Sequence, residues 1–213
     1  MMRTLVFGDV HGNYDGLLQA LHHAGYSEGD RLIGLGDYID YGIQSRQVIE
    51  FLIAAKRNNP ECLWIRGNHE NILLDAISRN SKGSFIQWAD SLAGHTTLRS
   101  YDAPPLVNDD VAGYLRQVFP TEHLELLEKT VEAHEESEYY FSHMPMYKGN
   151  LVTVHGHEHR NKPGFGWHVI SLGIEGGVAV LDLDNLVIRD NEGREFRVDR
   201  QRLQGKYCNS FKG

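Results

Sequence analysis

Cysteine is scarce in this chain of 213 residues, which holds only Cys62 and Cys208. Two thiols exclude a disulfide framework and a thiolate zinc site; counting leaves one bridge open, and buried or idle thiols are the simpler reading. Long apolar runs are also missing. No stretch reaches the roughly 18 apolar residues of a membrane span, and the opening MMRTLVFGDV enters a strand pattern with no signal-peptide block, so a cytoplasmic location is expected. Basic charge is short as well: 21 Lys and Arg face 29 Asp and Glu, a formal charge of −8, which disfavours tight nonspecific binding to nucleic acid. Pro-, Ser- or Gln-rich tracts are absent, which confines expected disorder to the ends. What is present is an ordinary globular composition, 41% hydrophobic and 23% charged, that suits a single domain over residues 1–213. Histidine is abundant at twelve residues, and the positions of these decide the reading.

Arg3 to Phe7 is a short apolar run ending in Gly8-Asp9, followed by Leu17, Leu18, Leu21 and Ala24 at helical spacing. The order repeats. Arg31 to Leu35 runs into Gly36-Asp37, after which Ser45 can cap a helix bearing Val48, Ile49, Leu52 and Ile53. Cys62 to Ile65 makes a third strand ending in Gly67-Asn68-His69. Strand-helix alternation implies an α/β fold with parallel strands, whose carboxyl ends are where such folds place ligands. Residues from about 80 to 137 read as a helical insertion, with Leu124, Leu127 and Val131 on one stripe. Strand patterns return from Tyr139 to Ile188 and suggest a second, more antiparallel sheet, and residues 194–213 read as a polar surface tail.

The chemistry sits at the strand ends. In Gly8-Asp9-Val10-His11-Gly12, positions i and i+2 of extended chain point the same way, so Asp9 and His11 can address one ion. Alone, the motif is as simply a turn Asp beside a surface His. In Gly36-Asp37-Tyr38-Ile39-Asp40 the two oxygens of Asp37 can bridge two cations, although a turn is again the plainer reading of that motif by itself. Arg66-Gly67-Asn68-His69-Glu70 offers a guanidinium fork for phosphate, an amide oxygen and an imidazole; its bland reading is a left-handed turn, a salt-bridging Arg66 and a helix-start Glu70. His143 follows a strand, and His155-Gly156-His157-Glu158-His159 ends the next one. Three close imidazoles repel when protonated, whereas a metal gives the neutral rings a use.

The ordered series D-x-H, G-D-x-x-D, G-N-H-E, H and G-H-x-H resembles the calcineurin-like metallophosphoesterases over about Arg3 to Leu183. Its first half is similar to the bacterial and phage serine/threonine phosphoprotein phosphatases; Ser142-His143-Met144-Pro145 and the last histidine run are similar to small phosphodiesterase-type members. The resemblance implies a metallophosphatase-type four-layer αββα sandwich of two mixed β-sheets flanked by helices. It implies two divalent or mixed-valence transition-metal ions, one held by Asp9, His11, Asp37 and His159, the other by Asp37, Asn68, His143 and His157. Oxygen and nitrogen donors suit Mn²⁺, the leading candidate, and also Fe, Zn or Co. By the same resemblance a hydroxide shared by the ions attacks phosphorus directly, His69 protonates the leaving oxygen, Asp40 orients His69, and Arg66, Asn68 and Tyr41 meet the substrate.

One departure bears on substrate. Where the phosphoprotein phosphatases have Asp-Arg-Gly, this chain has Asp40-Tyr41-Gly42, which removes a full charge from the phosphate site. The expected substrate is a phosphomonoester, small molecule or phosphoprotein, with a phosphodiester or dinucleoside polyphosphate as the alternative. A non-catalytic metal-binding interaction module and a nucleotide-binding domain are the readings from other classes. The first normally shows lost ligands and none is lost; the second wants a third glycine where Ile39 stands.

Overall fold

A computed structural model describes residues 3–158, 160–166 and 168–203. In chain order the strands are β1 (Thr4–Phe7), β2 (Arg31–Gly34), β3 (Leu63–Trp64), β4 (Ala133–Glu136), β5 (Tyr139–Ser142), β6 (Val152–His155), β7 (Gly164–Gly166), β8 (Val169–Ser171), β9 (Ala179–Asp182), β10 (Val187–Asp190) and β11 (Glu195–Arg197). The helices are α1 (Tyr14–His23), α2 (Ser45–Asn58), α3 (Asn68–Ser78), α4 (Lys82–Ile86), α5 (Gly94–Ser100), α6 (Val111–Val118), α7 (Thr121–Glu128) and α8 (Arg200–Leu203), with a π-helical turn at Gln87–Ser91.

Two mixed sheets result, flanked by helices as expected. The first has the order β11-β10-β9-β1-β2-β3, with β1, β2 and β3 parallel and β9 antiparallel to β1. The second has the order β4-β5-β6-β8-β7, with β5, β6 and β8 parallel. Side chains alternate across the strands and so build two cores. Leu5 and Phe7 of β1 join Leu17, Leu21, Val48 and Leu52 beneath the helices, while Val6 joins Ile33, Phe141, Val154, Ile170 and Leu181 between the sheets. All of these are essentially solvent-free, and burying each aliphatic chain stabilises the fold by about 1.5 to 3 kcal/mol.

A bidentate pair ties the sheets at the ends remote from the ligand loops. Arg31 Nη1 and Nη2 donate to Glu136 Oε1 and Oε2 at 2.8 and 2.7 Å. That hydrogen bonding holds the Glu136 carboxyl down to about 2, against 4.5 for an ordinary Glu. A depressed carboxyl stabilises above its unfolded pKa and loses that contribution as pH falls through the folded one. Since Glu136 is 42% exposed, solvent screening keeps the effect small. Glu136→Gln should lower stability by under about 1 kcal/mol at neutral pH. Urea denaturation at several pH values should show the difference shrinking from pH 4.5 toward about 2 and vanishing below it.

Three expectations change. β9 and β10 belong to the first sheet, and the second is parallel at its centre; β9 is buried on both faces, so its sequence carries no sign of which sheet it joins. Ala133–Glu136, read as the end of the insertion, is a strand, and so is Glu195–Arg197 within the expected tail, where Val198 and Leu203 are also buried. Both strands lie at sheet edges, where polar side chains are tolerated and the apolar alternation that marks a strand is lost. Ser45, expected as a cap, is the first residue of α2 and its hydroxyl bonds elsewhere.

Candidate metal centre and active site

Five parallel strands deliver their following loops to one end of the sandwich. β1, β2 and β3 lead to Asp9 and His11, to Asp37 and Asp40, and to Asn68 and His69; β5 and β6 lead to His143 and His157. The side chains do not converge by extended i, i+2 parity. His11, Asp37, Asp40, Tyr41 and His157 all have left-handed backbone, with φ of 47°, 52°, 75°, 58° and 60°. Each costs an L-residue energy that the surrounding fold must outweigh, a pattern that concentrates at functional sites. Two glycines let backbone approach the carboxylates. A Cβ on Gly67 would lie 2.1 Å from Asp37 Oδ1, and one on Gly156 would lie 2.1 Å from Asp9 Oδ1.

Asp37 is central and 2% exposed. Around His143 Nε2 sit Asn68 Oδ1 at 2.9 Å, His157 Nδ1 at 3.0 Å and Asp37 Oδ2 at 3.2 Å. His143 Nδ1 lies 3.0 Å from the Leu35 carbonyl, and His11 Nδ1 lies 3.2 Å from that of Ile39. A carbonyl only accepts, so both rings carry hydrogen on Nδ1 and can turn an Nε2 lone pair toward Asp37. His11 Nε2 and His69 Nε2 are 3.6 and 3.9 Å from Asp37 Oδ2. The donors thus form two groups that share Asp37, one with His11 and His69 and one with His143 and His157. Crowded oxygen and nitrogen lone pairs of this kind fit a pair of cations. Asp9 stands alongside, both oxygens 3.0 Å from the His157 amide. His159 and Cys208 lie outside the described residues.

The electrostatics point the same way. Burial alone would raise the Asp37 carboxyl, but the His143 hydrogen bond and the charges of His143, His69 and His11 hold it at about 2. Burial would likewise lower His143, and the Asp37 hydrogen bond lifts it instead to about 9. The cluster holds positive charge strongly, which a cation can supply in place of a proton.

Next to this centre, His69 Nδ1 is 2.7 Å from Asp40 Oδ2. Asp40 has no solvent exposure and His69 has 4%. Burial works to lower His69, but the Asp40 hydrogen bond and the charges of Asp37 and Asp40 outweigh it and leave the imidazole above its ordinary value. Burial also raises Asp40, opposed by donors from His69, Thr97 and Trp88. With three donors directed at its oxygens, the carboxylate is the acceptor and the shared proton belongs to His69.

The family model for calcineurin-like phosphoesterases matches residues 2–170. The chain belongs to that family. Among solved structures, a provisionally assigned diadenosine tetraphosphatase superposes with a TM-score of 0.63 at 17% identity, covering 89% of this chain and 92% of that one. A metallophosphoesterase from Sphaerobacter thermophilus gives 0.54 at 19% identity, over 86% of this chain and 84% of that one. A protein serine/threonine phosphatase from Saccharomyces cerevisiae, similar to human phosphatase PP5, gives 0.57 at 13% identity, over 93% and 81%. At such identities the likeness is one of fold.

Several side chains of this calcineurin-like phosphoesterase lie differently from expectation. The Arg66 fork is mostly taken: Nε donates to Thr130 Oγ1, and Nη2 donates to the Glu128 and Thr130 carbonyls, each at 2.8 Å. The Glu128 carbonyl is the last of α7 and that of Thr130 lies just past it, where helix geometry leaves acceptors unsatisfied. Nη1 is left, 3.7 Å from Glu132, in a cavity of about 200 Å³ shared with Asn68 and His143. Tyr41 is 53% exposed and sets its ring 4.9 Å from His11 and 5.4 Å from His69.

Glu70, a helix-start acid by sequence, does more. It is fully buried, and its carboxylate accepts the amides of Asp37, Tyr38 and Gly67 at 2.9, 2.8 and 2.9 Å. Position three of a helix explains the reach to Gly67, but not the hold on the Asp37 loop 33 residues away. Trp88 and Thr97, from the insertion, reach Asp40. A Trp in an amphipathic helical stretch reads as core, and no local spacing ties it to Asp40.

Proposed function

We propose that the chain is a metal-dependent phosphomonoesterase, phosphoproteins included among its substrates. The observation that carries the reading is the meeting of Asp37, Asn68, His143 and His157 donor atoms beside the buried His69–Asp40 pair. Asp9, His11, Asp37 and His159 would hold one ion; Asp37, Asn68, His143 and His157 would hold the second. Mn²⁺ is the first candidate for such oxygen and nitrogen donors, then Fe, Zn or Co. Bound ions would supply positive charge and a water acidified toward neutrality, the requirements of in-line displacement at phosphorus. His69 gives its Nε2 proton to the leaving oxygen while Nδ1–H stays on Asp40. Arg66 Nη1 meets a nonbridging oxygen, and Asn68 and Tyr41 border the substrate.

The test is metal-stripped protein assayed on an aryl phosphomonoester, an aryl phosphodiester, a phosphopeptide and a dinucleoside polyphosphate, with Mn²⁺, Zn²⁺, Co²⁺ and Mg²⁺ restored in turn. Hydrolysis of the monoesters should return with a transition metal. No hydrolysis with any ion would leave the chain a binding module.

Tyr41 favours a second reading, a phosphodiesterase, because a diester carries one charge fewer and misses the guanidinium less. Tyr41→Arg should then raise kcat/KM for monoesters over diesters by roughly ten- to a hundredfold, the worth of one charge-assisted contact. Added salt should shrink the gain. An unchanged ratio with metals and fold intact would move the choice to other residues. The described residues lining the cavity of about 550 Å³ beside Tyr41 include no Lys or Arg, so a dinucleoside polyphosphate reaching into it would depend on Arg66 and the bound ions for its phosphate charge.

A further inference from the structure

We infer that Trp88 and Thr97 are positioning residues for the acid step: they fix the Asp40 carboxylate, and so the His69 ring, from within the helical insertion. The inference rests on the reading of His69 as the acid.

Its ground is a donor and acceptor count that closes without alternatives. Asp40 Oδ2 receives His69 Nδ1 at 2.7 Å and Trp88 Nε1 at 3.0 Å. Indole N–H only donates, so the direction of the Trp88 bond is certain. Asp40 Oδ1 receives Thr97 Oγ1 at 2.7 Å. Thr97 has one hydroxyl hydrogen and spends it there, so Thr97 Oγ1 is an acceptor in its other contacts. One is the Asp40 amide at 2.9 Å; the other is Ser45 Oγ at 3.0 Å, which must therefore donate. Ser45 Oγ also faces the Asp40 amide at 3.2 Å. The hydrogens of His69, Trp88 and Thr97 all run toward the Asp40 carboxylate, which has no solvent exposure through which water could substitute.

The same contacts brace a backbone that would not otherwise stay put. Asp40 has φ of 75°, unfavourable for a residue with a Cβ, and its amide is held by Thr97 and Ser45. Trp88 sits in the π-helical turn Gln87–Ser91, a geometry that recurs at functional sites. Its ring is fully buried, edge-on to Phe85 at 6.0 Å and covered by Gly94, where a Cβ would lie 2.5 Å from the indole. A tryptophan needing only core burial could give its N–H to any carbonyl. This one donates to the oxygen that already holds His69, and a second residue of the same insertion takes the other oxygen.

A carboxylate with two fixed donors on Oδ2 cannot swing about its Cβ–Cγ bond without breaking one of them. Because His69 Nδ1 is bound to that oxygen, the ring plane is set and Nε2 faces the candidate metal centre, 3.9 Å from Asp37 Oδ2. Remove the indole N–H or the threonine hydroxyl and the carboxylate gains freedom, which the ring shares. The proposed metal ligands lie outside the insertion that carries Trp88 and Thr97 and need not change.

The test uses Trp88→Phe, Thr97→Val and Thr97→Ser in the full chain, each checked for metal content, on esters graded from nitrophenyl to alkyl. Trp88→Phe and Thr97→Val should each lower kcat for the alkyl ester about tenfold and for the nitrophenyl ester less than about threefold, since good leaving groups need little protonation. Thr97→Ser should restore the parent values. In an Asp40→Ala background, Trp88→Phe should have almost no further effect on this contrast, because the acceptor is already gone. Equal losses on both esters, or a Trp88→Phe effect that persists undiminished with Ala at position 40, would overturn the inference. If Trp88→Phe does not fold, the Thr97 pair decides it alone. His69→Asn separates the two levels: if it shows no leaving-group contrast, the acid assignment itself falls, whereas contrast there and none in Trp88→Phe or Thr97→Val sinks only the positioning role.

Discussion

His69→Asn should keep its metal ions and lose turnover by about 10² to 10⁴, the usual contribution of general acid-base catalysis. The substitution removes the imidazole that sits 2.7 Å from Asp40, but the link from residue 69 to Asp37 runs through the backbone amide, 3.2 Å from Asp37 Oδ1, and survives. Loss should be greatest for alkyl esters, whose leaving oxygen must be protonated, and least for nitrophenyl esters. The same variant decides a question that the geometry raises. His69 Nε2 also belongs to the donor group of His11 and Asp37. Metal analysis that found one ion fewer would make His69 a ligand, and equal loss on both esters would end its role as the acid.

Asp37→Asn should release both ions. Its carboxylate is the element common to the two donor groups, with Oδ2 3.2 Å from His143 Nε2 and 3.6 Å from His11 Nε2. An amide keeps one oxygen and loses the charge that draws positive charge to the cluster. Since mutation of groups that merely support a ligand costs about 10- to 100-fold in affinity or activity, loss of the shared ligand should exceed roughly a hundredfold in turnover. The fold should persist, because the Asp37 amide stays on Glu70 whatever the side chain. Crystals soaked in Mn²⁺ should show anomalous peaks between Asp9, Asp37, Asn68 and His157 in the parent and none in the variant. A variant that held both ions at full strength would refute the shared-ligand assignment.

Which features were open to sequence reasoning follows from how local their causes are. The strands before Asp9, Asp37 and Asn68 declare themselves through apolar runs between turn residues, and strand-helix order then makes them parallel neighbours. Asp37, Asn68, His143 and His157 could be named because each follows such a strand. The manner of their meeting could not: left-handed backbone at His11, Asp37 and His157 turns them, and no i, i+2 rule contains that. Glu70, Trp88 and Thr97 escaped for a related reason. Each has a sufficient local explanation, as helix-start acid, core aromatic or helix polar residue, while its actual partner lies 32, 48 or 57 residues away in the chain. Arg66 shows the reverse error. A guanidinium near a phosphate motif suggests a free fork, and the carbonyls at and just past the end of α7 claim most of it first.

The origin of the ligands also has a mechanical side. Asp9, His11, Asp37 and Asn68 hang from the first sheet, His143 and His157 from the second, so ions held by them as proposed would rivet one layer to the other. An ion that binds only the folded chain adds about 2.7 kcal/mol of stability at a hundredfold excess over its Kd, a large share of the 5 to 15 kcal/mol typical of a whole domain. Resistance to heat should therefore rise and fall with the metal supply, and a chelator should loosen the seam between the layers before it disturbs either core.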